Sequence, residues 1–153
     1  KKKININSKF KKYFINQFYC PNLPYKIYKT IHKFASTSID ISDGLLSDMI
    51  KLINMQKLSF EIDVNKIPTS KKLDIYLKKI NKKKIQYLFN GDDYQILFTA
   101  PKKNRSLIRS IEKKMNQKIT RIGKINYGYK KNLIKQGNKP LNLSKFKGYF
   151  HKF

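Results

Sequence analysis

The feature of this sequence that most constrains its fold is a short apolar run that passes through a glycine turn into an amphipathic helix. Residues 37–41 favour a β-strand, Asp43-Gly44 is a turn signal, and an apolar face at helical spacing follows. That face comprises Leu45, Leu46, Met49, Leu52 and Ile53. The segment therefore predicts a strand, a turn and a helix in direct succession, with the apolar face of the helix in the core.

Acidic residues are concentrated at two such turns. The chain has a formal net charge of +26 and only nine Asp and Glu, five of which lie in two clusters, Asp40, Asp43 and Asp48 in one and Asp92 and Asp93 in the other. Carboxylates and a hydroxyl at the end of a buried strand, followed by the N–H groups of a helix, would suit a hard cation and a phosphate. Alternatively, Asp43 is the N-cap of the helix and Asp48 is a first-turn acid.

The rest of the chain also alternates between helical and strand periodicities. Helices are predicted at 25–34, 70–80 and 105–115, and strands at 58–64, 94–99, 119–125 and 133–134. No internal repeat or heptad array is present in the sequence. We therefore expect a layered α+β or α/β structure rather than a solenoid or a coiled coil.

The first residues differ in character from the remainder. They are basic and aromatic, and Pro21 and Pro24 predict an extended linker because proline blocks helix formation. We expect a domain boundary at this linker, which separates residues 1–24 from residues 25–153. Because the chain begins with Lys1 and not with methionine, we expect it to be an internal part of a longer protein.

The large positive charge is dispersed along the chain. Lysines recur in nearly every segment beside frequent Asn, Ile, Tyr and Phe, which is typical of an AT-rich coding bias and not of a clustered basic face. A positive field of this kind concentrates anionic substrates such as nucleotides. We expect no specific nucleic-acid partner, and the alternative, suggested by the net charge alone, is a basic RNA-binding module.

Cysteine usage and hydropathy exclude other classes. Cys20 is the only cysteine, and His32 and His151 lack metal-ligand spacing, which excludes an intrachain disulfide and a Cys-rich zinc site. No run approaches the roughly 18 apolar residues of a membrane span, and no signal-peptide pattern is present. The sequence thus predicts a cytoplasmic protein without a membrane partner.

Five motifs occur in a fixed order along the chain, at 19–24, 38–48, 90–99, 122–125 and 148–153. The second contains Asp-Ile-Ser-Asp-Gly-Leu, and the third is Asn-Gly-Asp-Asp-Tyr-Gln-Ile-Leu-Phe-Thr. In this order they resemble the C-terminal domain of thiamine-monophosphate kinases, of the superfamily that includes aminoimidazole ribonucleotide synthetase. The resemblance covers the chain from about Lys12 onward.

The resemblance implies an α+β fold in which a mixed β-sheet is layered with helices. It also implies transfer of the γ-phosphate of ATP to thiamine monophosphate, with Mg²⁺ as the cofactor. By position, Asp40 and Asp43 would be metal ligands, Ser42 would contact ATP, and Asp92 and Tyr149 would contact the substrate, while no separate catalytic residue is assigned. An aromatic face is chemically suited to a cationic thiazolium ring.

The resemblance further implies a missing N-terminal domain, to which nothing in this chain is similar. That domain would supply most Mg²⁺ ligands and the interface of a homodimer, so this chain alone would be inactive. Residues 1–24 would be the basic segment and linker that follow it, and residues 25–153 the C-terminal domain that binds ATP and substrate.

The sequence departs from the family pattern at three places. Asp92 replaces a glutamate, and Asn90 replaces a glycine, which is expected to be tolerated because asparagine adopts positive φ more readily than most residues. An extra residue near His151 leaves both Tyr149 and Phe150 as candidates for the substrate contact. A selenophosphate synthetase or a hydrogenase-maturation ATPase of the same superfamily is the alternative enzyme, although the segment at 91–98 argues against both.

Overall fold

The computed structural model describes residues 6–53, 56–128 and 131–142. Within them the helices are α1 (Ser8–Tyr19), α2 (Tyr25–Tyr28), α3 (Leu45–Leu52), α4 (Lys71–Lys79) and α5 (Arg105–Met115). The strands are β1 (Thr37–Asp40), β2 (Leu58–Asp63), β3 (Ile96–Thr99), β4 (Gly123–Tyr127), β5 (Leu133–Gln136) and β6 (Lys139–Pro140). In these ranges no helix has the length and apolar character needed to span a membrane.

The strands form two sheets. In the four-stranded sheet the order is β4-β2-β5-β6, and β2 runs antiparallel to β4 and parallel to β5. The strands on either side of Gly128 therefore do not pair with each other but flank β2. β1 and β3 form a separate antiparallel ladder in which Thr37 pairs with Thr99 and Asp40 with Ile96. These mixed sheets and helices confirm the α+β class.

The larger hydrophobic core joins α3 to the four-stranded sheet. All five residues of the predicted apolar helix face are buried in it, together with Phe60 and Ile62 of β2 and Ile134 of β5. A smaller core forms around Phe34, whose ring lies 5.2 Å from that of Phe98 in β3. The ladder contributes to both cores, because Leu97 of β3 is buried in the larger one and Phe98 of β3 packs against the smaller one.

Two predicted elements differ from the structure. Residues 25–34 do not form one helix, because the N–H and hydroxyl of Thr30 both donate to the carbonyl of Ile27, and a 3₁₀ turn at Ile31–Lys33 follows. The strand predicted at 119–125 begins only at Gly123, since the N–H of Ile119 donates to the Glu112 carboxylate at 3.1 Å and not to a ladder.

Helix α1 lies inside the segment predicted as a basic linker. The Asn7 side chain caps its start by accepting the N–H of Lys9 at 2.8 Å. The helix contacts α4 through the rings of Phe14 and Tyr76, whose centroids are 5.6 Å apart, yet none of its residues is buried. The chain between α1 and α2 is non-helical, as the two prolines predict. The domain boundary itself stays a prediction.

Candidate active site

The two acid-bearing motifs meet in the structure. The N–H of Asp92 donates to the carbonyl of Ser42 at 2.9 Å, and the N–H of Tyr94 donates to the carbonyl of Ile41 at the same distance. The N–H of Ile41 in turn donates to the carbonyl of Gln95 at 2.8 Å. These bonds extend the β1–β3 ladder into the loops, so that residues 50 positions apart in sequence form one site.

Close backbone approach at Gly91 and Gly44 makes this contact possible. A Cβ at Gly91 would lie 2.0 Å from the carbonyl oxygen of Ser42, and a Cβ at Gly44 would lie 2.8 Å from backbone atoms of Phe89. Gly44 also has a φ of 112°, which favours glycine. The expectation of a positive φ at Asn90 is wrong, because the positive φ angles in this loop belong to Asp92 and Tyr94.

Asp48 is the central structural carboxylate of the site. Its side chain is completely buried, and its Oδ2 accepts the N–H groups of both Ser42 and Asp43 at 3.0 Å. It lies in the first turn of α3, as the alternative interpretation expected, but it is buried there. Asp48 thus satisfies the N–H groups of Ser42 and Asp43, which precede the helix, while the expectation that the N–H groups of the helix face a phosphate stays a prediction.

Asp43 does not act as the N-cap of α3. Gly44 occupies that position, without a side-chain capping bond, and Asp43 lies half-buried beside Lys51. The ammonium of Lys51 donates to Oδ2 of Asp43 and, at 2.9 Å, to Oδ1 of Asp48. These hydrogen bonds, first to Asp43 and then to Asp48, raise the pKa of Lys51, so the amine is held in its charged form.

Asp40 is the last residue of β1, and its side chain is exposed. The strand that carries it is not buried as expected, since three of its four residues are exposed and Ile39 is half-buried. The reason is that β1 has only β3 as a neighbour in the ladder. Asp40 thus presents its carboxylate at an open edge, next to the half-buried Ser42.

In the second loop, Asp92 is exposed and its Oδ1 accepts the hydroxyl of Tyr94 at 3.1 Å. This hydrogen bond raises the pKa of the Tyr94 phenol, and the charges of Asp92 and, more weakly, Asp40 act in the same direction. Asp93 is exposed by surface area, but partial shielding from solvent raises the pKa of its carboxyl, and repulsion from Asp92 adds to this. The loop is held by the backbone N–H groups of Asp92 and Tyr94.

The structure therefore brings together Asp40, Ser42, Asp43 and Asp92, while Tyr149 and Phe150 lie outside the described residues. Sequence reasoning missed the roles of Asp48, Lys51 and Tyr94. A signal for Lys51 was its position three residues after Asp48 on a helix, where side chains meet. No comparable signal marked Asp48, because its burial depends on how the loop of residues 41–44 folds back over α3.

Comparison with known proteins gives a consistent result, although no protein-family model matches the chain. The chain is 47% identical over 75 residues to the thiamine-monophosphate kinase of Aquifex aeolicus, covering 48% of this chain and 24% of that protein. It is 34% identical over 127 residues to the thiamine-monophosphate kinase of Buchnera aphidicola subsp. Schizaphis graminum, covering 79% of this chain and 37% of that protein.

Solved structures show the same relationship. The Aquifex aeolicus thiamine monophosphate kinase and AaThiL complexed with AMPPCP and TMP both match with a TM-score of 0.69, at 29% and 32% identity. Each match covers 90% of this chain and 43% of that chain, so the present chain spans less than half the length of the proteins it matches. Sequence and fold together confirm the resemblance of this chain to the C-terminal region of thiamine-monophosphate kinases.

Proposed function

We propose that the intact protein transfers the γ-phosphate of ATP to thiamine monophosphate with Mg²⁺, and that this chain contributes part of the active site. The observation that carries the proposal is the joining of the two acid-bearing loops by backbone hydrogen bonds at Ile41 and Ser42. It joins the backbone of the turn that follows Asp40 and contains Asp43 to the backbone of the loop that carries Asp92. The matched relatives are thiamine-monophosphate kinases, and AaThiL was solved with AMPPCP and TMP.

The donor set fits Mg²⁺ held together with nucleotide phosphates. This ion is usually bound by one or two carboxylates, several waters and the phosphates of a substrate. In the described ranges no group of three or more His, Cys, Asp or Glu side chains could form a protein-only site. Asp40 and Asp43 supply two carboxylates at the turn, and the ion, when bound, would offset charge on the transferred phosphate.

The protein side of phosphoryl transfer is mainly positioning and electrostatic stabilisation. Asp40 and Asp43 would orient the metal-bound phosphates, and the hydroxyl of Ser42, between them in sequence, would contact ATP. The rigid Ser42–Asp43 backbone, held by Asp48 on one side and by Asp92 on the other, fixes these groups relative to each other. Preorganisation of this kind lowers the cost of reaching the transition state.

Asp92 is suited to the substrate end of the site. Its carboxylate is exposed, and the Tyr94 hydroxyl restricts its orientation. Tyr149, or Phe150 in its place, would lie against the thiamine ring system. A homodimer formed through an N-terminal domain and a cytoplasmic location also stay proposals for the intact protein.

The direct test is a coupled ADP-release assay on the intact protein. We expect turnover with thiamine monophosphate, ATP and Mg²⁺, and none when selenide or an aminoimidazole precursor replaces thiamine monophosphate. Turnover with either of these alternatives, but not with thiamine monophosphate, would refute the proposal.

The roles of Asp40 and Asp43 are tested by their asparagine variants in the same assay. Each variant should lose turnover by roughly 10²-fold or more, because a charged phosphate-positioning group is removed. The melting temperature without ligand should stay near that of the parent, and ATP with Mg²⁺ should no longer raise it. Asp74→Asn is a matched control, since Asp74 lies on α4 and its carboxylate accepts the hydroxyl of Thr69 and not a group of the two acid-bearing loops. Near-normal turnover by both site variants would show that their carboxylates are structural.

A further inference from the structure

Lys51 connects the two carboxylates of the first acidic cluster in the structure. It lies near the end of α3, and its ammonium donates to Oδ2 of Asp43 and to Oδ1 of Asp48. Its side chain is 48% exposed, whereas that of Asp48 is completely buried. The Lys51 ammonium is thus held by the buried Asp48 carboxylate, while its side chain remains half exposed to solvent.

Asp48 cannot readily release this ammonium. Its Oδ2 is occupied by the N–H groups of Ser42 and Asp43, so Lys51 is the cation that faces its other oxygen. A buried carboxylate deprived of its cation would be strongly destabilised. Lys51 is therefore held next to Asp43 by a contact that does not itself involve Asp43.

We propose that Lys51 is a built-in counter-cation of Asp43, with which a divalent cation must compete for this carboxylate. The inference rests on the proposed function, because that function makes Asp43 a metal ligand. With Lys51 in place, an incoming cation meets two carboxylates whose charge is already half offset. Without it, the negative charge that the same cation meets is larger by one unit. Lys51 therefore weakens the affinity of the turn for free divalent cations.

The opposite change in cation affinity is expected if Lys51 only holds α3 and the turn together through its hydrogen bonds. Removing such a tie would loosen the position of Asp43 and weaken cation binding. The sign of the change in affinity therefore separates the two roles. Removal of one unit charge a few ångströms from a divalent ion at a partly exposed site should tighten binding by about tenfold.

The test is a titration of the intact protein with Mn²⁺, followed by the electron paramagnetic resonance signal of the free ion. The Asp43-dependent part of the binding is defined as the part lost in Asp43→Asn. We expect Lys51→Met to tighten this part by about tenfold, and Lys51→Arg, which keeps the charge, to bind like the parent. Lys78→Met removes one charge from an exposed position on α4 and should leave the affinity nearly unchanged.

A Lys51→Met protein that binds Mn²⁺ no more tightly than Lys78→Met would overturn the proposal. Equal Mn²⁺ binding by the parent and Asp43→Asn would overturn it as well, since Asp43 would then hold no cation. Circular dichroism melting of each variant confirms that the comparison is made on folded protein. Because no step of the experiment uses turnover, failure of the kinase proposal in the ADP-release assay remains a separate result.

Discussion

In the four-stranded sheet, β2 lies between two neighbours and buries Phe60 and Ile62, whereas three of the four residues of β1 in the two-stranded ladder are exposed. In the larger sheet the carboxylate of Glu61 forms ion pairs, accepting from Lys124 at 2.9 Å and from Lys135 at 2.6 Å. Asp40 and Asp92 at the ladder end point to solvent. The exposed acids that are open to ligands therefore lie at the ladder end and not in the larger sheet.

The two regions also differ in how their backbone is fixed. In the larger sheet the order comes from regular pairing and buried apolar side chains. At the ladder end it comes from a few hydrogen bonds between loops, and Asp92 and Tyr94 adopt positive φ angles of 64° and 50°. Positive φ is uncommon for such residues and persists only where surrounding contacts impose it. A loop held by its backbone leaves its side chains available to ligands.

The largest expected effect comes from alanine at the glycines of close approach. Gly91→Ala would place a methyl group 2.0 Å from the Ser42 carbonyl oxygen, and Gly123→Ala would place one 2.1 Å from the Glu61 carbonyl oxygen. Each should lower the free energy of unfolding by about 3 kcal/mol, because backbone must move to relieve the overlap. Urea denaturation measures both changes.

Only Gly91→Ala should also abolish the Asp43-dependent binding of Mn²⁺, since only that substitution separates the two acid-bearing loops. Gly128→Ala serves as the control: Gly128 has a φ of 95° but nothing within 4 Å of the added atom, so about 1 kcal/mol is expected from backbone strain alone. Equal loss of Mn²⁺ binding in Gly91→Ala and Gly123→Ala would show that the two regions are not separable.

The second comparison replaces one carboxylate in each region. In Asp48→Asn the buried amide cannot serve two N–H donors with one atom and the Lys51 ammonium with the other, because one of its two terminal atoms is itself a donor. We expect a loss of about 3 kcal/mol in the free energy of unfolding. Chemical denaturation of the folded variant measures it.

Asp63→Asn is the matched variant in the larger sheet. Oδ1 of Asp63 accepts the N–H groups of both Asn65 and Gly137, and an asparagine carbonyl oxygen can accept both. The stability loss should therefore be much smaller than in Asp48→Asn. A larger loss in Asp63→Asn would contradict the assignment of Asp48 as the central structural carboxylate of the site.

Part of this structure was predictable from the sequence, namely two helices and the two acidic motifs. The apolar face of α3 and the extent of α5 follow from side-chain periodicity, and both match the structure. The family resemblance also predicts that both acidic motifs contribute ligand contacts. Periodicity carries such information because burial of a helix face is a local property of the sequence.

Other features were not predictable, because they depend on contacts between distant segments. The exposure of β1 depends on which strands lie beside it, and its β-favouring sequence suggested a buried strand instead. The burial of Asp48 and the capture of the Ser42 and Asp43 N–H groups arise from the path of one turn. The sequence therefore suggested a cation and phosphate site at this turn, but not the hydrogen bonds by which Asp48 holds the turn from within.

The smallest effect concerns the ion pairs of the larger sheet and is seen only in acid. Hydrogen bonds from Lys135 and then Lys124 lower the pKa of Glu61 from 4.5 to about 2, so folding favours its ionised form. The resulting stabilisation is complete above pH 4.5 and is lost as the pH falls toward 2. Glu61→Gln should therefore make the free energy of unfolding less dependent on pH in this window, as measured by urea denaturation at a series of pH values.

Lys135→Met should flatten the same profile more than Lys124→Met, because the Lys135 hydrogen bond is the larger cause of the shift. Since Glu61 lies outside the acid-bearing loops, Asp43-dependent Mn²⁺ binding at neutral pH should be equal in all three variants and the parent, and a loss in any of them would couple the two regions that the structure separates.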